Sequence, residues 1–294
     1  MSPAKSPALY DLHCHVDFAA SPEALARDAS ALGVRALSCT VTPAGYVAAR
    51  ELLAESANVR VGLGMHPWWV ADGRVDAAAV AQFERLARQA RLIGEVGLDF
   101  AGERGLKERR ARQRAALERA LAACCGKAAG SAAGDDAGAS SKVISLHAVR
   151  AASDVLDALE RSGALDQHAC VLHWFSGTSD ELTRAVRAGC LFSVGPRMLA
   201  GKRGRAYARA IPAKQLLLET DSPARAGEAW SAAAWRAQLE EALRLLAEAR
   251  GADERELAEA LAVTSERVLA GAARPSSPPA SQAKCAPKKP SLAP

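Results

Sequence analysis

The feature that most constrains this chain is a repeated alternation of short apolar runs with longer amphipathic ones. The apolar runs at 8–13, 34–40, 59–63, 91–95, 142–147, 168–173, 190–194 and 215–220 have the length of buried strands. Helical patterning falls between them, at 22–32, 43–56, 76–90, 107–125, 149–161, 179–188 and 202–210. After the last strand come two more helical segments, 229–250 and 253–270. Eight strand–helix alternations predict a parallel α/β architecture. A doubly wound open sheet has the same count, so the polar residues must decide.

Those residues recur at one place in the pattern. The first strand closes on Asp11-Leu12-His13-Cys14-His15. Side chains alternate along a strand, so His13 and His15 share one face and Cys14 takes the other. Glu95 ends the run Leu92-Ile93-Gly94-Glu95, His147 ends 143–147, His173 ends 170–173, and Asp221 follows the run 216–220. In a (β/α)₈ barrel the C-terminal strand ends converge on one mouth, where active sites are built. An open sheet would not bring strands one, four, five, six and eight together.

The spacing agrees with a barrel unit of about 27 residues. His15 to Glu95 is 80 residues, His147 to His173 is 26, and His173 to Asp221 is 48. Glu95 to His147 is 52, because a low-complexity stretch lies inside that unit. Any one of these side chains reads equally well as a satisfied core group; the shared period is what argues for a site. Four histidines and two carboxylates exceed what one tetrahedral metal needs. They suit two divalent ions, Mg²⁺, Mn²⁺ or Zn²⁺, that generate a nucleophile from water and clamp a phosphate.

Composition sets the frame around that site. Of the 294 residues 49% are apolar, enough for a sizeable core, and a single α/β barrel runs to roughly 250 residues. The expected organisation is a single-domain TIM-like barrel over 8–271, preceded by an extension at 1–7. It carries a flexible insertion at 126–142 and is followed by a disordered, basic, Pro/Ser-rich tail at 272–294. No apolar run approaches the ~20 residues of a membrane span, and the N-terminal stretch has no signal-like apolar core, so the expected location is cytoplasmic. The seven cysteines lack CxxC spacing, which argues against a disulfide framework or structural zinc. The net charge is +5, but the tail contributes +4, so bulk charge does not nominate a nucleic-acid partner. The oligomeric state is left open, with a monomer as the working expectation.

Taken in order, DLHCHVDF, GMHPW, GEVGLDF, HWFSG and LLLETDSP resemble the TatD family of metal-dependent deoxyribonucleases, among the amidohydrolase-like barrels. The similarity spans about 8–270. It implies that His13, His15 and Asp221 hold one metal, that His147 and His173 hold a second, and that Glu95 bridges the two. It further implies a 3′→5′ exonuclease acting on DNA, at single strands or 3′ ends. His66 matches a histidine that meets the substrate phosphate, and Asp221, Glu95 and His66 form the expected catalytic set. Asp17 and Asp99 match acids that hydrogen-bond to ligands or substrate.

The chain also departs from the family pattern. Val149 stands where an arginine is usual, with Arg150 one residue later as the candidate substrate contact, and the segment after Asp221 is short. Trp174 and the Trp68–Trp69 pair are candidates for stacking on bases. Two rivals follow. The same metals could serve a lactone, amide or other carboxylic ester, or the barrel could be a non-catalytic binder of nucleic acid or a partner.

Overall fold

The computed structural model describes residues 7–126 and 141–270. The tail, most of the N-terminal extension and nearly all of the 126–142 insertion lie outside the described residues. In chain order the elements begin β1 (Leu9–Cys14), α1 (Pro22–Ala31), β2 (Val34–Cys39), α2 (Pro43–Leu52) and β3 (Val59–Met65). Next come α3 (Pro67–Ala71), α4 (Ala77–Ala87), β4 (Leu92–Asp99), α5 (Lys107–Cys124) and β5 (Val143–Val149). They continue with α6 (Ala152–Ser162), α7 (Ala164–Gln167), β6 (Ala169–His173), α8 (Ser179–Arg187), β7 (Leu191–Val194) and α9 (Pro196–Ala200). The chain finishes with α10 (Lys202–Ala210), β8 (Leu216–Leu218), α11 (Ala232–Arg250) and α12 (Glu254–Leu269).

The strands pair in sequence order, and every pairing is parallel. The sheet curls so that β1 meets the chain leaving β8. Asp221 N–H donates to His13 O at 2.9 Å, and His15 N–H donates to Ser222 O at 2.8 Å. Buried Asp11 strengthens this seam, accepting from Thr220 Oγ1 at 2.6 Å, Thr220 N–H at 3.1 Å and Trp235 Nε1 of α11 at 2.7 Å. The architecture is therefore the single-domain (β/α)₈ barrel that the strand-end residues required.

Two apolar clusters hold it. The larger lies between strands and helices and includes Cys14, Ile93, Leu146, Phe192 and Trp235. The smaller joins Tyr10, Leu37, Val143, Val171 and Leu217 with Val268 of α12. Residues from strands on opposite sides of the sheet can share one cluster only through the barrel interior. Tyr10 Oη donates to Glu266 Oε1 at 2.5 Å, tying α12 to that inner cluster.

Element boundaries differ from expectation where apolar residues run on past a polar one. β4 continues through Val96-Gly97-Leu98 to Asp99, so Glu95 lies within the strand rather than at its end. The register of β4 shifts on both sides there, and the Gly94–Glu95 peptide is cis. β5 likewise runs to Val149, and α6 starts three residues later than expected, at Ala152. Short helices α3 and α9 were not expected. Each opens on a proline, whose missing N–H is no loss in a first turn.

Candidate metal centre at the barrel mouth

Every strand contributing to the site delivers its polar side chain to one end of the barrel. Glu95 is 1% exposed and forms the hub. Its Oε1 lies 2.6 Å from His147 Nδ1 and 2.8 Å from His173 Nε2. Its Oε2 lies 3.3 Å from both His13 Nε2 and His66 Nε2, and 3.8 Å from His15 Nε2. Asp221 Oδ1 sits 3.3 Å from His15 Nε2 and 3.9 Å from His13 Nε2. His13 and His173 stack with ring centroids 3.9 Å apart.

Local folding explains why these atoms face inward. His15 Nδ1 bonds to the Cys39 carbonyl at 2.7 Å, which places its proton there and turns Nε2 toward Asp221. His13 Nδ1 is engaged by Ser145 Oγ at 2.7 Å, which directs Nε2 to the hub. His147 Nε2 bonds to Asp99 Oδ2 at 3.2 Å, and the Asp99 main chain is clamped by Gln113 of α5. Asp221, Trp174 and Arg150 all have positive φ (52°, 36° and 52°) and follow β8, β6 and β5. Left-handed backbone at non-glycine residues is strained, and such strain gathers at functional sites.

Burial opposes every charge in this cluster, and the neighbours decide the outcome. Burial, reinforced by His173, brings His13 down to about 4. At His15 burial is outweighed by the hydrogen bond and charge of Asp221, which lift it to about 9. Glu95 and Asp99 lift His147 to about 9 against the same penalty. The imidazoles around Glu95, His66 foremost, hold its carboxyl well below the usual range despite burial. His15, with the charges of His173 and His13, does the same for Asp221.

The donor set fits divalent cations. His13 Nε2 is fully buried and has no hydrogen-bond partner, yet it points between two carboxylate oxygens. Ligands each about 2.1 Å from one ion stand about 3 Å apart, the spacing seen between most of these atoms. Three trios of donor atoms lie within 4.8 Å of one another: His13–His15–Asp221, His13–Glu95–His173 and His66–Glu95–His147. The first is the trio expected from sequence. In the third, His66 Nδ1 accepts the Trp68 N–H at 3.1 Å, so its Nε2 carries the proton and acts as a donor. That favours a substrate contact for His66 over ligation.

A cleft of about 510 Å³ opens above the hub, within the usual ~300–1,000 Å³ of ligand sites. Its lining includes Trp68 and Trp69 with Arg104, whose guanidinium lies over Trp68, and Trp174 with Arg197. Trp174 is thus where sequence placed it. Arg150 is exposed and absent from the lining. The arginines that do reach the cleft, 104 and 197, sit in irregular or short elements with no periodic signal. Asp17 is hydrogen-bonded by Ser38 Oγ at 3.2 Å. Buried Glu219 also escaped notice. Burial and the charge of Asp221 push it well above the normal range, Ser193 Oγ donates to it at 2.5 Å, and it faces His173 Nδ1 at 3.8 Å. Its position two residues before Asp221 was the signal that could have found it.

A nearly closed parallel barrel with a buried His/Glu/Asp cluster at the C-terminal strand ends is the arrangement of a metal-dependent hydrolase. The family model described as TatD related DNase matches residues 10–270, and the chain belongs to that family. It is an enzyme that hydrolyses ester bonds. Human "Deoxyribonuclease TATDN3" is 27% identical over 231 residues, covering 74% of this chain and 78% of that protein. "Uncharacterized metal-dependent hydrolase TatD" of Mycobacterium tuberculosis is 28% identical, covering 73% and 80%. "3'-5' ssDNA/RNA exonuclease TatD" of Edwardsiella piscicida is 33% identical over a shorter stretch, covering 54% and 56%. Among solved structures, the TatD homologue YJJV from Escherichia coli superposes with a TM-score of 0.71 at 22% identity, covering 88% of this chain and 97% of its own. That likeness concerns the fold. Among the described residues no helix is long and apolar enough to cross a membrane.

Proposed function

We propose that this chain is a 3′→5′ exodeoxyribonuclease that removes nucleotides from single-stranded DNA or exposed 3′ ends, using two divalent cations. The observation that carries this reading is Glu95, whose two oxygens each face two or more imidazoles within 3.8 Å at the centre of the barrel mouth. His13, His15 and Asp221 would hold one ion, His147 and His173 the other, with Glu95 between them. Bound Mg²⁺, Mn²⁺ or Zn²⁺ supplies Lewis acidity, lowering the pKa of water and neutralising charge on phosphoryl oxygens.

The protein's own groups do the rest. Asp221 is partly open to the cleft and is the carboxylate placed to take a proton from water. His66 Nε2–H donates to a non-bridging phosphate oxygen, in an orientation fixed by the Trp68 main chain. Exposed Trp68, with the half-buried Trp69 and Trp174, offers faces on which unpaired bases stack, which a duplex cannot use.

The test is release of 5′-mononucleotides from end-labelled single- and double-stranded DNA and RNA, with each metal in turn. Ordered loss of nucleotides from the 3′ end of single-stranded DNA supports the proposal. Turnover of a lactone or amide panel with no nucleotide release refutes it.

A further inference from the structure

The two cleft arginines differ in how far they are committed. Arg104 lies 3.2 Å from Asp99 through Nε, covers Trp68 at 4.7 Å, and its side chain is 32% exposed. Arg197, carried into the mouth by Gly195-Pro196 after β7, is 50% exposed. Its Nη1 lies 3.8 Å from Asp221 Oδ2, and its guanidinium sits 5.7 Å from the Trp174 ring centre. A half-exposed ion pair at that distance is weak, because solvent screens it and holding a long side chain costs entropy. A phosphodiester offers the same guanidinium two oxygens in a matching fork.

We propose that Arg197 is the residue that recognises the anionic phosphodiester, leaving Asp221 Oδ2 for the phosphate oxygens while the adjoining base rests on Trp174. The inference rests on the DNA-hydrolase reading above and names the group that makes the site select a phosphate over a neutral ester. The exchange frees the outer oxygen of Asp221 as substrate arrives. It also brings a guanidinium to a cleft whose lining includes Val149 but not Arg150, the arginine arriving after β7 instead.

The experiment measures binding of a fluorescein-labelled, phosphorothioate-linked oligothymidylate to the Mn²⁺-loaded full chain by anisotropy, over a salt series. It compares wild type, Arg197→Gln, Arg197→Lys and the remote surface control Arg255→Gln. Arg197→Gln is expected to weaken binding about tenfold. Its slope of log K against log salt should fall by about 0.7, the value of one phosphate contact on a single strand. Arg197→Lys should fall between, keeping the charge but not the fork, and Arg255→Gln should match wild type. In turnover of unmodified oligothymidylate, KM should rise for Arg197→Gln far more than kcat falls. Equal affinity and slope for Arg197→Gln and wild type overturn the proposal, as does an equal loss in Arg255→Gln. Failure of wild type to bind or cut any DNA, with turnover of a neutral lactone, refutes the functional reading itself and this inference with it.

Discussion

His147 Nδ1 lies 2.6 Å from Glu95 Oε1, although 52 residues separate them in the chain. Adjacent parallel strands bring them together, β4 pairing with β5 so that Gly97 stands beside His147. That contact makes Glu95 the residue whose loss is most informative. Glu95→Gln keeps the side chain's shape but removes the charge that the imidazoles and cations share. Hydrolysis should fall at least ~10³-fold, as when a charge-stabilising group at a reaction centre is removed. Circular dichroism should show an unchanged fold. Residual turnover within tenfold of wild type would count against the proposed role.

Ser145 offers a subtler test. Its hydroxyl is 2.7 Å from His13 Nδ1 and fixes the ring that points Nε2 at the hub. Partners that orient a metal-binding histidine are worth about 10–100-fold in metal affinity. Ser145→Ala should therefore weaken Mn²⁺ binding by that factor in calorimetry, with activity restored at high metal. A loss of activity that extra metal does not restore would point to a different role.

Metal should also stabilise the folded chain. A cation that binds only the native state adds about 2.7 kcal/mol at a hundred times its Kd. For a barrel of this size that corresponds to about 5–10 °C in Tm. The shift should appear in wild type and shrink in His13→Ala, which keeps His147 and His173. Identical shifts in both proteins would place the bound metal elsewhere.

Gly97 separates structure from chemistry. Its φ is +147°, and a Cβ there would sit 2.1 Å from the His147 carbonyl oxygen. Gly97→Ala must therefore push β5 and its histidine aside, at a cost of about 2–4 kcal/mol. Urea unfolding should report that loss. An unchanged midpoint would contradict the close strand approach.

The barrel was legible because buried parallel strands are short continuous apolar runs, and because polar residues at successive strand ends shared one period. Those same runs misled at β4, where Val96 and Leu98 continue the strand beyond Glu95 and the sequence offers no break. Arg150 illustrates a different blindness. Its neighbourhood in sequence suggests the mouth, yet it is exposed and outside the cleft lining, and no residue type there announces its left-handed backbone. Arg104 and Arg197 went unread because irregular segments have no period from which to infer direction. Glu219 was readable in principle, as a second carboxylate two residues before Asp221 at the same strand end.

The most direct measurement is anomalous diffraction from crystals soaked in Mn²⁺. The account predicts two peaks at the barrel mouth, one contacted by His13, His15 and Asp221 and one by His147 and His173, both touching Glu95. A mouth without anomalous density, or ions bound only by other residues, would contradict it.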